Sequence, residues 1–128
     1  MFQRSVALDA IPQEEWHRTV KLGAGITAAH IGRGLTLTAA NTYSLAANDG
    51  AIHARLWSVE DRVSEGSLLG TVQLKFIDAL PIKTGETVAV GDTVLGAGSG
   101  EVKAAGSANH ALNYVVEVRA GFAVVYKL

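Results

Sequence analysis

The stretch AVGDTVLGAGSGEVKAAG, Ala89–Gly106, decides how this chain is read. It carries five glycines, with Gly96, Gly98 and Gly100 alternating around Ala97 and Ser99. Two physical meanings compete. A glycine-rich loop lets backbone N–H groups close on a phosphate, and the same residue type reaches positive φ in a tight hairpin turn. A phosphate loop needs Gly-x-x-x-x-Gly-Lys-Ser/Thr opening a helix. Here Lys103 is misplaced, no Ser or Thr comes next, and Glu101-Val102-Lys103 continues as a strand. A nucleophile elbow needs Gly-x-Ser-x-Gly, whereas Ser99 has glycine directly on both sides. From Glu86 onward the chain therefore reads strand, Gly-Asp turn, strand, glycine turn, strand.

Toward the C-terminus, NYVVEVRAGFAVVYKL (Asn113–Leu128) reads as a β-hairpin around Ala120-Gly121, on its β-branched and aromatic enrichment. It is apolar without strict alternation. Toward the N-terminus, SLLGTVQLKFIDALPIK supplies one or two strands, with Pro81 marking an edge or a break. Ala51–Asp61 alternates with a period of two. Ile52, Ala54 and Leu56 fall on one face, and His53, Arg55 and Trp57 on the other. Strands are expected near Thr19–Leu22 and Leu35–Thr38, with one helical turn within Ile26–Ile31. Gly23-x-Gly25-x-x-Ala28 matches a relaxed dinucleotide fingerprint, but Gly32 and Gly34 cut any helix to about one turn where that chemistry needs a long one.

Residues 1–18 read as an N-terminal arm. Pro12 suits the first turn of a short helix, with Glu14 and Glu15 favourable near its start. Such a helix needs a surface to pack on, and Phe2, Ile11 and Trp16 offer the apolar contacts. Aromatics make up only 6% of the 128 residues, so Trp16 and Trp57 stand out as interface candidates.

Composition narrows the function classes. At 48% hydrophobic the chain can bury a core, built on Val, Leu, Ile and Ala. The 11 basic and 12 acidic residues are scattered, which leaves no electrostatic footprint for nucleic acid or anionic lipid. There is no cysteine, which excludes disulfides, zinc-thiolate sites and thiol nucleophiles. The start of the sequence lacks the apolar run of a secretory signal, and no stretch of about 18 apolar residues exists to span a membrane. His17, His30, His53 and His110 show no i, i+2 or i, i+4 pairing, so neither a metal nor a cofactor is expected. The neighbouring carboxylates Glu14-Glu15 and Glu60-Asp61 read as solvated charge.

The last third of the chain resembles the end of small tailed-phage capsid decoration (cement) proteins. Val90-Gly91-Asp92-Thr93-Val94, Gly100-Glu101-Val102-Lys103 and the segment from Tyr114 to Val125 carry the likeness. The resemblance implies a β-rich structural virion protein without catalysis. It would sit on the capsid exterior after synthesis in the host cytoplasm. Its partners would be the major capsid protein and itself, as a homotrimer, and its role would be stabilisation of the shell.

The fold class expected is mainly β: a small β-barrel or β-sandwich-like domain over 19–128, with the 1–18 arm and at most short helices. The expected contact residues are Phe2, Ile11, Trp16 and Trp57. Two alternatives stand beside this reading. One is a small β-barrel enzyme or small-molecule binder with a site around His53 and Arg55. The other is a carrier domain of biotinyl or lipoyl type, suggested by Val88–Val94, which lacks the lysine such carriers modify at a hairpin tip.

Overall fold

A computed structural model describes residues 17–62, 67–106 and 113–128 of the chain. Its elements are β1 (His17–Leu22), a single 3₁₀ turn (Ala28–His30), β2 (Gly34–Ala39), β3 (Thr42–Leu45), β4 (Ala54–Arg62), β5 (Ser67–Gln73), β6 (Phe76–Pro81), β7 (Val94–Gly98), β8 (Glu101–Ala104), β9 (Asn113–Arg119) and β10 (Phe122–Lys127). The mainly β expectation holds, in the form of a closed barrel with two smaller sheets. Among the described residues no helix is long and apolar enough to cross a membrane.

Five strands close the barrel in the order β1-β3-β2-β4-β5. β5 returns antiparallel to β1, with His17 opposite Gln73, and β1 pairs parallel with β3. Closure removes the free edges an open sheet would present. The barrel is filled by Val20, Leu22, Ile26, Leu35, Ala54, Leu56 and Val72. The alternation read in Ala51–Asp61 places Ile52, Ala54 and Leu56 in the interior. It breaks where Leu56 pairs with Val72 and Ser58 with Thr71, leaving Trp57 as the extra residue of a β-bulge. The helical turn expected within Ile26–Ile31 is the 3₁₀ turn. The Thr27 hydroxyl accepts from the Ala29 N–H at 3.3 Å, and His30 Nδ1 accepts from the Thr27 N–H at 3.0 Å.

The remaining strands form a three-stranded sheet, β6-β10-β9, and the hairpin β7-β8. They enclose a second core of Phe76, Leu80, Val88, Val94, Val102, Val115, Ala123 and Val125, which Ala46 and Ile52 join from the barrel side. Among the described residues Phe76 is the one aromatic in the buried core clusters, with Tyr43 packed partly buried against the barrel core, so Val, Leu, Ile and Ala carry the interior as their abundance implied. The buried Asn113 ties the sheet to the hairpin. Its Oδ1 accepts from the Val94 N–H at 2.9 Å and its Nδ2 donates to the Val94 carbonyl at 3.3 Å, an amide standing in for a strand neighbour.

The glycine stretch is a hairpin turn. Gly98 pairs with Glu101, leaving a two-residue loop in which Ser99 (φ 53°) and Gly100 (φ 78°) both take positive φ, as a type I′ turn requires. Gly96 serves a different need. Its N–H donates to the Gly50 carbonyl at 2.8 Å and its carbonyl accepts from the Asp49 N–H at 2.8 Å, so the hairpin lies backbone against backbone on the 46–50 loop.

Two strand expectations are corrected. The strand before the Gly-Asp turn does not form: 86–90 is irregular, with Val88 alone buried, because Gly91 (φ 92°) and the bond from the Asp92 N–H to the Ala89 carbonyl bend the chain there. The β3 strand, which the sequence did not signal, forms from weakly patterned Thr42–Leu45 because β2 and β1 offer it pairing on both sides.

Candidate interaction surface

The hairpin that read as apolar without strict alternation builds an apolar outward face. On β10, Ala123 and Val125 point into the core, while Phe122, Val124 and Tyr126 occupy the opposite face. Register places Pro81, Ala79 and Ile77 of β6 directly across from those three residues. On the other side Tyr126 lies opposite Tyr114 of β9, their rings stacked at 5.3 Å. Ile77 is 62% exposed, Phe122 47% and Tyr114 43%. An antiparallel sheet with one face on a core ordinarily turns polar residues outward. A continuous apolar outer face of this kind is the usual mark of a protein–protein contact.

The face continues onto the barrel. Ile31, just after the 3₁₀ turn and 47% exposed, lies across a shallow depression from Pro81 and Phe122. A β-bulge in β9, where the register to β10 shifts between Val124 and Val125, interrupts the pairing, which then resumes to Phe122 opposite Arg119. Beyond it Glu117 and Arg119 rim the face as an exposed ion pair at 2.8 Å.

Arg55 fixes the face relative to the barrel. From β4 its Nε donates to the Ala79 carbonyl at 2.8 Å and its Nη1 donates to Gln73 Oε1 at 2.7 Å. The same Nη1 lies 3.2 Å from Asp78 Oδ2. Burial lowers the guanidinium pKa, and Asp78 opposes that shift. Three directed contacts on β5 and β6 make this side chain a clamp between barrel and sheet, since a planar fork suits several fixed acceptors at once.

His53 has different partners from Arg55. His53 Nδ1 accepts from the Leu37 N–H at 3.0 Å, which holds the imidazole along the β2 edge. Its pKa is lowered, by burial first and then by the Lys127 charge. Both residues thus have structural work. Among the described residues no group of three or more His, Cys, Asp or Glu side chains converges as a metal site. The relaxed dinucleotide fingerprint also has a packing explanation. A Cβ on Gly23 would collide with the Ser44 side chain, so that glycine permits the close pass of β1 and β3.

Of the expected contact residues, Trp57 stands on the barrel exterior, 50% exposed, with the His17 ring edge-on at 5.2 Å. Phe2, Ile11 and Trp16 lie outside the described residues, as does His110. The outer-face residues Ile77, Tyr114, Phe122 and Tyr126 were not singled out from sequence. The signal that could have found them is the run Phe122–Tyr126, apolar at both parities and thus with one apolar set more than a single core can bury.

Comparison with family models, with curated proteins and with solved structures finds no match to this chain.

Proposed function

We propose that this chain is a structural virion protein that binds the outside of an icosahedral phage head as a decoration protein and stabilises the shell. The observation that carries the proposal is the apolar outer face of the β6-β10-β9 sheet. It joins the resemblance of the C-terminal third to phage cement proteins. Removing such a face from water supplies the driving force for association. Two packed cores hold the face rigid, which lowers the ordering cost of docking. A shell offers the same contact many times, so modest affinity at each site suffices when the bound subunits are linked. The proposal includes a homotrimer and the major capsid protein as partner, both of which the resemblance implies; a trimer is one of the closed cyclic forms open to self-association. It assigns no catalysis.

The test is co-sedimentation of the purified protein with heads that lack it, prepared from the phage that encodes it. The wild-type chain should pellet with the heads. Phe122→Glu places a charge on the outer face at a residue that belongs to neither core cluster. It should abolish pelleting while leaving the melting curve intact, because a buried unpaired charge costs several kcal/mol, of order 3 or more. Wild-type protein that stays in the supernatant, or a Phe122→Glu variant that binds normally, overturns the assignment. Light scattering reads the trimer independently.

A further inference from the structure

Between the 3₁₀ turn and strands β6 and β10, the depression beside Ile31 has a volume of about 260 Å³. Ile31, Pro81 and Phe122 give it apolar walls, and among the described residues its two ionisable lining side chains are both arginines, Arg33 and Arg55. Arg55 is a clamp, yet its fork is only partly used. Nε and Nη1 face Ala79, Gln73 and Asp78. Nη2, which carries two of the five donors, has no hydrogen-bond partner among the described residues. That end of the fork lies beside Gly32, where a Cβ would stand 3.3 Å from Nη2. Gly32 also lines the depression and has no side chain to cover the nitrogen.

Asp78 balances one of the two guanidinium charges. Arg33 donates from Nη1 to the Ser99 carbonyl at 2.9 Å, a neutral partner, and no Asp or Glu side chain among the described residues lies within ion-pair distance of it. The depression therefore combines apolar walls with a net positive charge. A carboxylate is the complementary group, since it accepts charge-assisted bonds from a planar fork. The Arg55 side chain is only 13% exposed, so a carboxylate that reaches Nη2 is screened by salt less than an exposed pair. Both guanidiniums are held before anything binds, Arg55 by its clamp contacts and Arg33 by Ser99, which lowers the ordering cost.

We propose that this depression receives an acidic side chain, Asp or Glu, of the protein on which the outer face docks, with its carboxylate on Arg55 Nη2 in the field of Arg33 and its apolar neighbours against Ile31 and Phe122. The inference rests on the docking face proposed above and adds the chemistry of the partner: an acidic residue set among apolar ones. Phe122 belongs to both the face and the depression, so one partner segment covers both. A basic residue at that place in the partner would meet like charge, so the depression also selects partner and register.

Phenylacetate, an aromatic ring bearing one carboxylate, is the probe, and phenylacetamide is its uncharged match. Titrated into the isotope-labelled full chain, phenylacetate should shift the backbone amide signals of Gly32, Arg33 and Phe122 and the Arg55 Nε–H signal. The shifts should saturate with a Kd of about 1–10 mM, the range for a ligand of about ten heavy atoms. Phenylacetamide should bind about tenfold more weakly, the difference a charge-assisted contact makes. Arg55→Lys removes Nη2 and should weaken phenylacetate by about tenfold, with the unfolding midpoint reporting the fold. Arg33→Gln leaves the Arg55 contacts in place and should weaken it by roughly threefold, the scale of a partly exposed charge. On phage heads, Arg33→Glu should cut binding by about tenfold or more, and Arg33→Lys should stay close to wild type. Equal binding of acid and amide, shifts confined to another part of the surface, or no saturable shift overturns the inference. Arg33→Glu protein that pellets like wild type, where Phe122→Glu does not, overturns it and leaves the shell reading in place. The probe needs no heads, so wild-type protein that fails to pellet removes the shell reading while phenylacetate still decides the carboxylate site.

Discussion

Gly96→Ala tests why the glycines of Ala89–Gly106 alternate. A Cβ at position 96 would fall well inside van der Waals contact of the Ala47 carbonyl oxygen, and 2.9 Å from the Ala46 Cβ. Both neighbours belong to a loop that Gly96 also holds through two backbone hydrogen bonds of 2.8 Å. The methyl fits only if the 46–50 loop retreats, which stretches those bonds. Overpacking costs about 1–3 kcal/mol and each weakened buried bond about 1 kcal/mol. Against this, alanine restricts the unfolded chain and returns about 0.5–1 kcal/mol. The expected net loss is about 3 kcal/mol. Gly98→Ala is the control. At φ 101° its Cβ would meet nothing within 4 Å, so only the backbone conformation opposes it. That strain is about 1–2 kcal/mol, reduced by the same unfolded-state gain. Urea unfolding followed by circular dichroism should place the variants in the order wild type, Gly98→Ala, Gly96→Ala, with unchanged denaturant slopes. A Gly96→Ala midpoint at or above that of Gly98→Ala would refute close backbone approach as the reason for this glycine.

Asn113→Ala should cost about 2–3 kcal/mol, because it leaves the N–H and carbonyl of buried Val94 without their amide partner; thermal melting reads it, and a loss below about half a kcal/mol would show that water replaces the amide. Arg55→Met should destabilise by about 2–4 kcal/mol by stripping Gln73, Asp78 and Ala79 of a shared donor, and Arg55→Lys should recover less than half, since one ammonium cannot span all three. The pH dependence has a worked sign. The folded-state pKa of His53 lies below its ordinary value of 6.5, so the unfolded chain binds the extra proton first. Its contribution is full above that value and is lost as pH falls through the window beneath it, where protonation also opposes the bond from the Leu37 N–H. The melting temperature of wild type should therefore drop more steeply on acidification than that of His53→Asn, and parallel slopes would count against this role.

Local chemistry made much of the fold legible in the sequence. The Ser99-Gly100 turn, the Ala120-Gly121 hairpin and the buried set Ile52, Ala54 and Leu56 all follow from backbone freedom and a period of two, which are properties of adjacent residues. The aliphatic core follows from composition in the same way. Tertiary structure alone decided the rest. Barrel closure through His17 and Gln73 is a pairing across more than fifty positions, and no local pattern carries register over that span. Arg55 read as a candidate site residue because it shares a face with His53. It became a clamp only because β6 brings the Ala79 carbonyl and Asp78 alongside β4. The same holds for the outer face. Phe122, Val124 and Tyr126 are visibly apolar in sequence, but a strand has two faces, and only the packing of Ala123 and Val125 onto the second core determines which set is left in water.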